Sequence, residues 1–432
     1  MKKLAIAFLF ILTFPVMAIG QLSEEVFKNG IKLITIEDHS SPVATFQVWY
    51  KVGSIDEDEG KSGISHLLEH LMFRGSKKYP GNVFSKIIQA NGGVDNAFTT
   101  KDYTVYFQKL AASKLGISID LESDRMENLL LQKEDFELEK KIVLEERRQR
   151  YEDNPESLLI EEVIGLAFKV HPYRRPIIGW TEDIKSITFE DIKNHYRKYY
   201  CPENSFIIVA GDIDKKRITE EIREKFEKIS SCKNKSMPKI LYEPKQYGEK
   251  RVIIKKQTHL PMLVLAYKVP AYPNPDSLSL EILSTILGEG KSSRLYRKLV
   301  NETGLAVDVS SSNSPLSRDG FLFFIVASVK DVEKISEVEK IIKNEIERLK
   351  TEKVSERELE KAKNQVEAAF LFSQDSVFGH ALLIGRFEIL GNWRMIEKYR
   401  EEIAKVSPKD IQDGVNKYLN EENLTVGVLL PQ

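Results

Sequence analysis

Asp191-Ile192-Lys193-Asn194-His195-Tyr196-Arg197-Lys198-Tyr199-Tyr200-Cys201-Pro202-Glu203-Asn204 and Asp410-Ile411-Gln412-Asp413-Gly414-Val415-Asn416-Lys417-Tyr418-Leu419-Asn420-Glu421-Glu422-Asn423 are two copies of one segment. They share Asp-Ile, Lys-Tyr and Glu-Asn, six identities in fourteen positions, at a constant offset of 219 with no gap. Thr188 reads as the cap of a helix that begins the first copy, with Glu190 and Asp191 in its first turn, and the apolar strand Ser205 to Ala210 follows. The same offset links Pro42 to Pro261. Each proline leads into an apolar strand ending in Tyr-Lys-Val, at Tyr50-Lys51-Val52 and, two residues shorter, at Tyr267-Lys268-Val269. Agreement at both ends of the interval implies that the whole interval is duplicated. The expected class is α+β, with two similar halves, each a mostly antiparallel sheet packed with helices. Residues 21–229 form the first half and 248–432 the second. Residues 230–247, containing Lys, Pro and Ser without periodicity, form a linker.

A chain of 432 residues exceeds what one ordinary core encloses, which agrees with two domains. Its composition is 42% hydrophobic and 30% charged with a formal net charge of −1, so neither disorder nor an electrostatic attraction to nucleic acid is indicated. No interior apolar run is long enough to cross a bilayer. Lys2 and Lys3 precede the apolar run Leu4 to Phe14 and the small residues around Ala18, the pattern of a secretory signal peptide over 1–20. Cleavage is expected after Ala18 or Gly20. Export follows, to the periplasm in preference to the extracellular medium. Cys201 and Cys232 are the chain's two cysteines, too few for a disulfide framework, and the sequence leaves their pairing open.

The segment Gly63-Ile64-Ser65-His66-Leu67-Leu68-Glu69-His70-Leu71-Met72-Phe73 carries chemistry. On a helix, His66 and His70 project from one face and Glu69 borders it. Two imidazoles and a carboxylate at one point suit a divalent metal with a base beside it. With seven His in the chain, coincidence explains this spacing poorly, and two buried imidazoles without a shared partner would be costly. Ser62 is positioned to cap this helix, and Asp56 to Lys61 read as a polar loop before it. The second half does not repeat the motif: allowing for the two-residue gap, His66 and His70 correspond to Leu283 and Leu287. Downstream, Val94 to Phe107 reads as an extended segment, a turn at Lys101-Asp102 and a strand. The small and polar residues from Asn96 to Thr100 suit an edge strand with its backbone free for pairing.

His66-Leu67-Leu68-Glu69-His70 within two repeated halves resembles the pitrilysin-type inverzincin zinc peptidases, the family of mitochondrial processing peptidase and insulysin. The resemblance covers essentially the whole chain after the signal. It implies halves arranged as part of a clamshell, and one Zn²⁺ held by His66, His70 and a Glu on a separate helix roughly 75 residues further on. Glu146 stands 76 residues after His70, with Glu145 as its neighbouring competitor. The family also has an acidic residue seven positions before the ligand, where Glu139 precedes Glu146 and Leu138 precedes Glu145. Glu146 is therefore the implied ligand and Glu139 its support. Glu69 is then the base, and Asn96-Ala97-Phe98-Thr99 the strand on which a peptide is held. Phe73 has either a pocket or a core role.

One departure bears on partners. Single-chain members of that family and many homodimeric bacterial ones carry an Arg and a Tyr, seven apart in the non-metal half, that donate hydrogen bonds to the substrate. Val300 and Val307 occupy those positions here. The implied reading is a zinc endopeptidase for peptides or unfolded chains, acting as the metal-bearing subunit of a heterodimer whose homologous partner supplies the Arg/Tyr pair. A homodimer is the simpler arrangement, and a non-catalytic scaffold or peptide-binding subunit is the alternative function.

Overall fold

A computed structural model describes residues 22–231 and 242–432. The expected signal segment lies outside the described residues, as does the middle of the expected linker with Cys232. Cys201 is buried and disulfide-bonded.

Eleven strands form two sheets among the described residues: β1 Leu22–Val26, β2 Lys32–Glu37, β3 Val43–Tyr50, β4 Val94–Thr99, β5 Thr104–Ala111, β6 Ser205–Gly211, β7 Lys250–Lys256, β8 Met262–Val269, β9 Ala306–Ser312, β10 Phe321–Val329 and β11 Leu424–Pro431. The first sheet has the order β1-β2-β6-β3-β5-β4 and the second β7-β11-β8-β10-β9. Leaving out β1, the two orders superimpose strand for strand. Each contains one parallel pair, β2 with β6 and β7 with β11, and is otherwise antiparallel. The duplicated segment supplies matching elements. Helices Phe189–Tyr199 and Pro408–Tyr418 both begin with a capping box, Thr188 with Asp191 and Ser407 with Asp410, and each leads into the strand that makes the parallel pair. Thus the fold is the expected α+β one, with two similar halves.

The halves are not closed units, because each lends a helix to the other's sheet. In β3, Ala44, Phe46, Val48 and Tyr50 face one core and Trp49 faces another. The first core includes Leu67, Leu68 and Leu71 of helix Ile64–Leu71. On the opposite face, Trp49, Phe206 and Ile208 join Ile384 and Phe387 of helix Val377–Ile389, which belongs to the second half. Reciprocally, Leu159 and Val163 of helix Pro155–Ala167 cover Val264, Ala266 and Leu429 of the second sheet. Burial on both faces explains why β3 and β6 read as nearly continuous apolar runs. Glycines permit both contacts: a Cβ on Gly385 would lie 2.2 Å from Trp49 Cζ2, and one on Gly427 2.3 Å from Val163 Cγ2.

Residue-level reading of the chain before helix Ile64–Leu71 needs two corrections. Ser62 does not cap it. Its hydroxyl donates to Asp183 Oδ2 at 2.5 Å and accepts from the Trp180 N–H. The N-cap position is Gly63, at φ +89°, and a side chain there would strike Ile178 O at 2.2 Å. The cap comes from further back: the Glu57 carboxylate accepts from Gly63 N and Ser65 N, each at 2.9 Å. Asp56 and Glu57 are accordingly buried rather than part of a solvated loop, and burial pushes the Glu57 carboxyl up to about 8 despite those donors.

Gly385→Ala tests the helix exchange. Overpacking against the enclosed Trp49 ring should cost about 1–3 kcal/mol. Because the residue is in one half and its contact in the other, denaturant unfolding should shift for tryptophan fluorescence and for far-UV dichroism alike. A midpoint unchanged by both probes would contradict this packing.

Candidate metal centre

Helix Ile64–Leu71 buries its leucines under the first sheet, which leaves the face bearing His66 and His70 turned towards helix Lys133–Arg147. The two rings stand 4.8 Å apart between centroids. Glu146, near the end of the second helix, directs Oε2 at both: it lies 3.4 Å from His70 Nε2 and 3.9 Å from His66 Nε2. One atom from each of His66, His70 and Glu146 falls within 4.8 Å of the others, the one such group among the described residues. Glu145 points elsewhere, pairing with Arg148 and Gln149 at the surface.

The surroundings orient each of the three. Glu139 Oε2 accepts from His70 Nδ1 at 2.9 Å, which leaves Nε2 as the ring nitrogen facing Glu146. Arg74 donates to the other Glu139 oxygen at 2.5 Å. Arg150 holds Glu146 Oε1 at 3.0 Å, which leaves Oε2 for the histidines.

The electrostatics favour a cation. His66 is buried, its Nδ1 has no hydrogen-bond partner, and its Nε2 is beyond hydrogen-bond reach of Glu146. Burial, with the neighbouring His70 adding to it, pushes its pKa down to about 4, so the ring is neutral. For His70, burial opposes the charge, but the hydrogen bonds to Glu139 and Glu146 outweigh it and raise the pKa to about 9. Glu146 is held below the usual carboxylate range, first by its hydrogen bond to His70. In the metal-free chain a proton thus balances Glu139 and Glu146. Two imidazole nitrogens and a carboxylate oxygen form a donor set suited to Zn²⁺ in that proton's place.

Glu69 lies beside this group without joining it. Its carboxyl is buried, and Thr99 Oγ1 donates to Oε2 at 2.5 Å. Desolvation raises its pKa against the opposing effect of that hydrogen bond. Thr99 is the last residue of β4, and β4 is the outer strand of the first sheet, paired only with β5. Within β4, Ala97 and Thr99 face the metal helix side, whereas Phe98 packs towards Tyr103 and Phe107 on the other face. Asn96 is exposed, and its Oδ1 accepts from Ala97 N at 2.8 Å. Phe73 contributes to the first core, 6.2 Å from the Tyr106 ring and 5.4 Å from the Arg125 guanidinium.

The structure thus brings His66, His70, Glu146, Glu139, Glu69 and Thr99 together, with Ala97 on the same side of β4, whereas Asn96 is exposed, Phe98 faces the other side and Phe73 packs in the core. What the sequence did not expose is the hydroxyl of Thr99 on Glu69, the Glu57 cap, and the arginines behind Glu139 and Glu146. Arg74, four residues after His70, was the available signal for one of these. Val300 is half-buried against the core of the second half, and Val307 is 47% exposed near the start of β9. In the second sheet β9 holds the outer position that β4 holds in the first.

Residues 32–181 match the family described as Insulinase (Peptidase family M16), and residues 186–366 match its companion, Peptidase M16 inactive domain. The chain is 33% identical to "Zinc protease PqqE" of Helicobacter pylori, over 94% of this chain and 91% of that protein. It is 26% identical to "Probable mitochondrial-processing peptidase subunit beta, mitochondrial" of Arabidopsis thaliana, over 93% and 77% of the two chains. The crystal structure of a protease from Helicobacter pylori superimposes with a TM-score of 0.91 at 32% identity, covering 96% of this chain and all of that one. The metal group lies within the first match; the second begins inside the first half, ahead of β6, and lacks those histidines. By sequence over nearly its whole length and by fold, the chain belongs to the M16 (insulinase/pitrilysin-type) peptidase family.

Proposed function

We propose that the chain is an exported zinc endopeptidase of peptides or unfolded segments, and that it is the metal-bearing member of a pair of homologous subunits. The observation that carries the peptidase reading is the convergence of His66, His70 and Glu146 beside a separate buried carboxylate, Glu69. Relatives named zinc protease support it.

When bound by His66, His70 and Glu146, zinc would supply polarisation of the scissile carbonyl and acidification of the attacking water. Each protein group has its own part. The Thr99 hydroxyl engages one oxygen of Glu69, which leaves the other to take the water's proton and pass it to the leaving amine. The raised pKa of Glu69 suits that cycle, because an acid that protonates readily can return the proton. The free edge of β4 would hold the substrate backbone as an added strand. Since Thr99 ends that strand and touches Glu69, a peptide paired along Asn96 to Thr99 would run directly past the base. Glu139 fixes the ring of His70 throughout.

Export rests on the basic and apolar pattern over 1–20, and no helix of the described residues is long and apolar enough to cross a membrane. The pairing of subunits rests on Val300 and Val307, neither of which can donate a hydrogen bond to a substrate oxygen from its side chain. A non-catalytic subunit is the second reading, favoured by those valines and by the match of the second half to an inactive domain.

Three outcomes are expected. Glu69→Gln should retain one zinc per chain and lose peptide cleavage by a factor of roughly 10²–10⁴, measured by metal analysis and peptide hydrolysis. Retained cleavage would remove Glu69 from the role of base. Glu139→Gln should weaken zinc binding about 10–100-fold in competition with a chromogenic chelator, whereas Glu145→Gln should leave it unchanged. The purified chain alone should cleave peptides slowly, and addition of a homologue carrying the Arg/Tyr pair should accelerate it. Full activity without any partner would contradict the pairing. Zinc uptake with no cleavage in either state would support the non-catalytic reading.

A further inference from the structure

The loop between β9 and β10 in the second half inserts an arginine into the first half. Ser317 Oγ donates to Asp319 O at 2.8 Å within the loop, and Tyr272 N, just beyond β8, donates to Pro315 O at 2.9 Å, so the loop is braced from within and from its own half. From it, Arg318 Nη1 donates to Asp56 Oδ2 at 2.8 Å, and the Arg318 main-chain N–H donates to Asp102 Oδ2 at 3.1 Å. The other Asp102 oxygen accepts from Tyr173 Oη at 2.5 Å. That hydroxyl in turn accepts from Asp319 N at 3.2 Å, and Asp319 Oδ2 meets His171 Nε2 at 2.9 Å. The Asp56 side chain is only 2% exposed and Asp102 is buried. The guanidinium bridges the Asp56 carboxyl and, at 3.4 Å, the Asp102 main-chain oxygen, while the Asp102 carboxyl is held by the Arg318 main-chain N–H.

Both aspartates belong to segments that lead into the proposed active site. Asp102 is in the β4–β5 turn, three residues after Thr99, whose hydroxyl holds Glu69. Asp56 immediately precedes Glu57, whose carboxylate caps the helix of His66 and His70. The two segments are joined by main-chain hydrogen bonds from Ser54 N to Thr100 O at 3.2 Å and Ile55 N to Lys101 O at 2.9 Å. They approach so closely at Gly53 that an added Cβ would lie 2.5 Å from the Lys101 backbone.

We infer that Arg318 is a positioning residue for the reaction: it clamps the loop entering the metal helix onto the turn ending the substrate strand, and so keeps Glu69 and Thr99 in register. This inference rests on the peptidase reading for its catalytic consequence. It also assigns a task to the second half within its own chain, because the clamp crosses from one half to the other. Arg318 touches neither substrate nor metal ligand and acts only through Asp56 and Asp102.

The test compares Arg318→Met and Arg318→Lys with Arg294→Met in the full chain. Arg294 is a comparison of similar cost, since it pairs with Glu345 and Glu358 at 2.8 and 2.7 Å wholly within the second half. Zinc content, kcat and KM for a peptide, urea unfolding, and amide hydrogen exchange over residues 97–104 are read for each. Arg318→Met should keep its zinc and fold while kcat/KM falls on the order of 10²-fold, the cost of a small misplacement of reacting groups. Exchange in the turn should quicken at least about tenfold, Arg318→Lys should restore part of both, and Arg294→Met should change neither. Should Arg318→Met not fold, Arg318→Lys carries the comparison. If kcat/KM and turn exchange in the Arg318 variants stay within about twofold of the parent chain, the clamp is refuted. If the parent chain cleaves no peptide with or without a homologue carrying the Arg/Tyr pair, the peptidase reading fails separately, and turn exchange alone decides whether Arg318 orders the strand.

Discussion

The Glu139 carboxylate between His70 and Arg74 is the contact on which the metal centre depends. It joins helix Ile64–Leu71 to helix Lys133–Arg147 at a fixed crossing, sets which ring nitrogen of His70 faces Glu146, and thereby brings Glu146 within reach of both histidines. Without it, two helices distant in sequence would have apolar packing and the longer His70–Glu146 contact to fix their rotation, and packing does not specify which ring nitrogen faces inward. The charge it introduces is costly to bury alone. Arg74 on one oxygen and His70 on the other offset that cost, which is why the carboxyl remains below its usual range although burial pushes it upward.

Around this contact the duplicated fold divides its labour. The two sheets are alike in order and in the placement of their parallel pair, yet among the described residues only the first carries a candidate metal group on the helix beneath it. At the corresponding positions the second half has leucines, which serve its core. The exchange of helices Pro155–Ala167 and Val377–Ile389 makes the core continuous from one sheet to the other. The half that lacks the His66, His70 and Glu146 group is therefore still required by the half that has it. Arg318 gives that dependence a polar component at the strand and loop nearest Glu69.

Much of this was legible in the sequence. The repeat of Asp191 to Asn204 at Asp410 to Asn423 foretold two matching halves, because both copies retain a capped helix feeding a central strand. His66, Glu69 and His70 were legible because helical spacing fixes their face. Glu146 required the resemblance to a known family, since nothing in a run of acidic residues separates a ligand from a solvated neighbour until Glu145 is seen to face water. Asn96 to Thr99 could be read as an edge strand from their small polar side chains. What escaped reading depends on contacts between distant segments. Ser62 had the right residue type for a cap and the wrong surroundings, because Ile178 and Gly179 crowd Gly63 and leave the task to Glu57. Asp56 looked like one more loop acid until Arg318, from the other half of the chain, was found against it. The exchange of helices left no periodic signal at all, for an apolar helix reads the same whichever sheet it covers.

The central claim is that one zinc ion sits between His66, His70 and Glu146, with Glu69 outside its ligand set. Anomalous diffraction at the zinc edge from crystals of the protein purified without added metal tests it most directly. The account predicts a single strong peak with two imidazole nitrogens at about 2.0–2.1 Å and one carboxylate oxygen at about 2.0–2.2 Å. A peak ligated by Glu69 or Glu145 in place of Glu146, or no peak at this site in protein that binds zinc elsewhere, would contradict it.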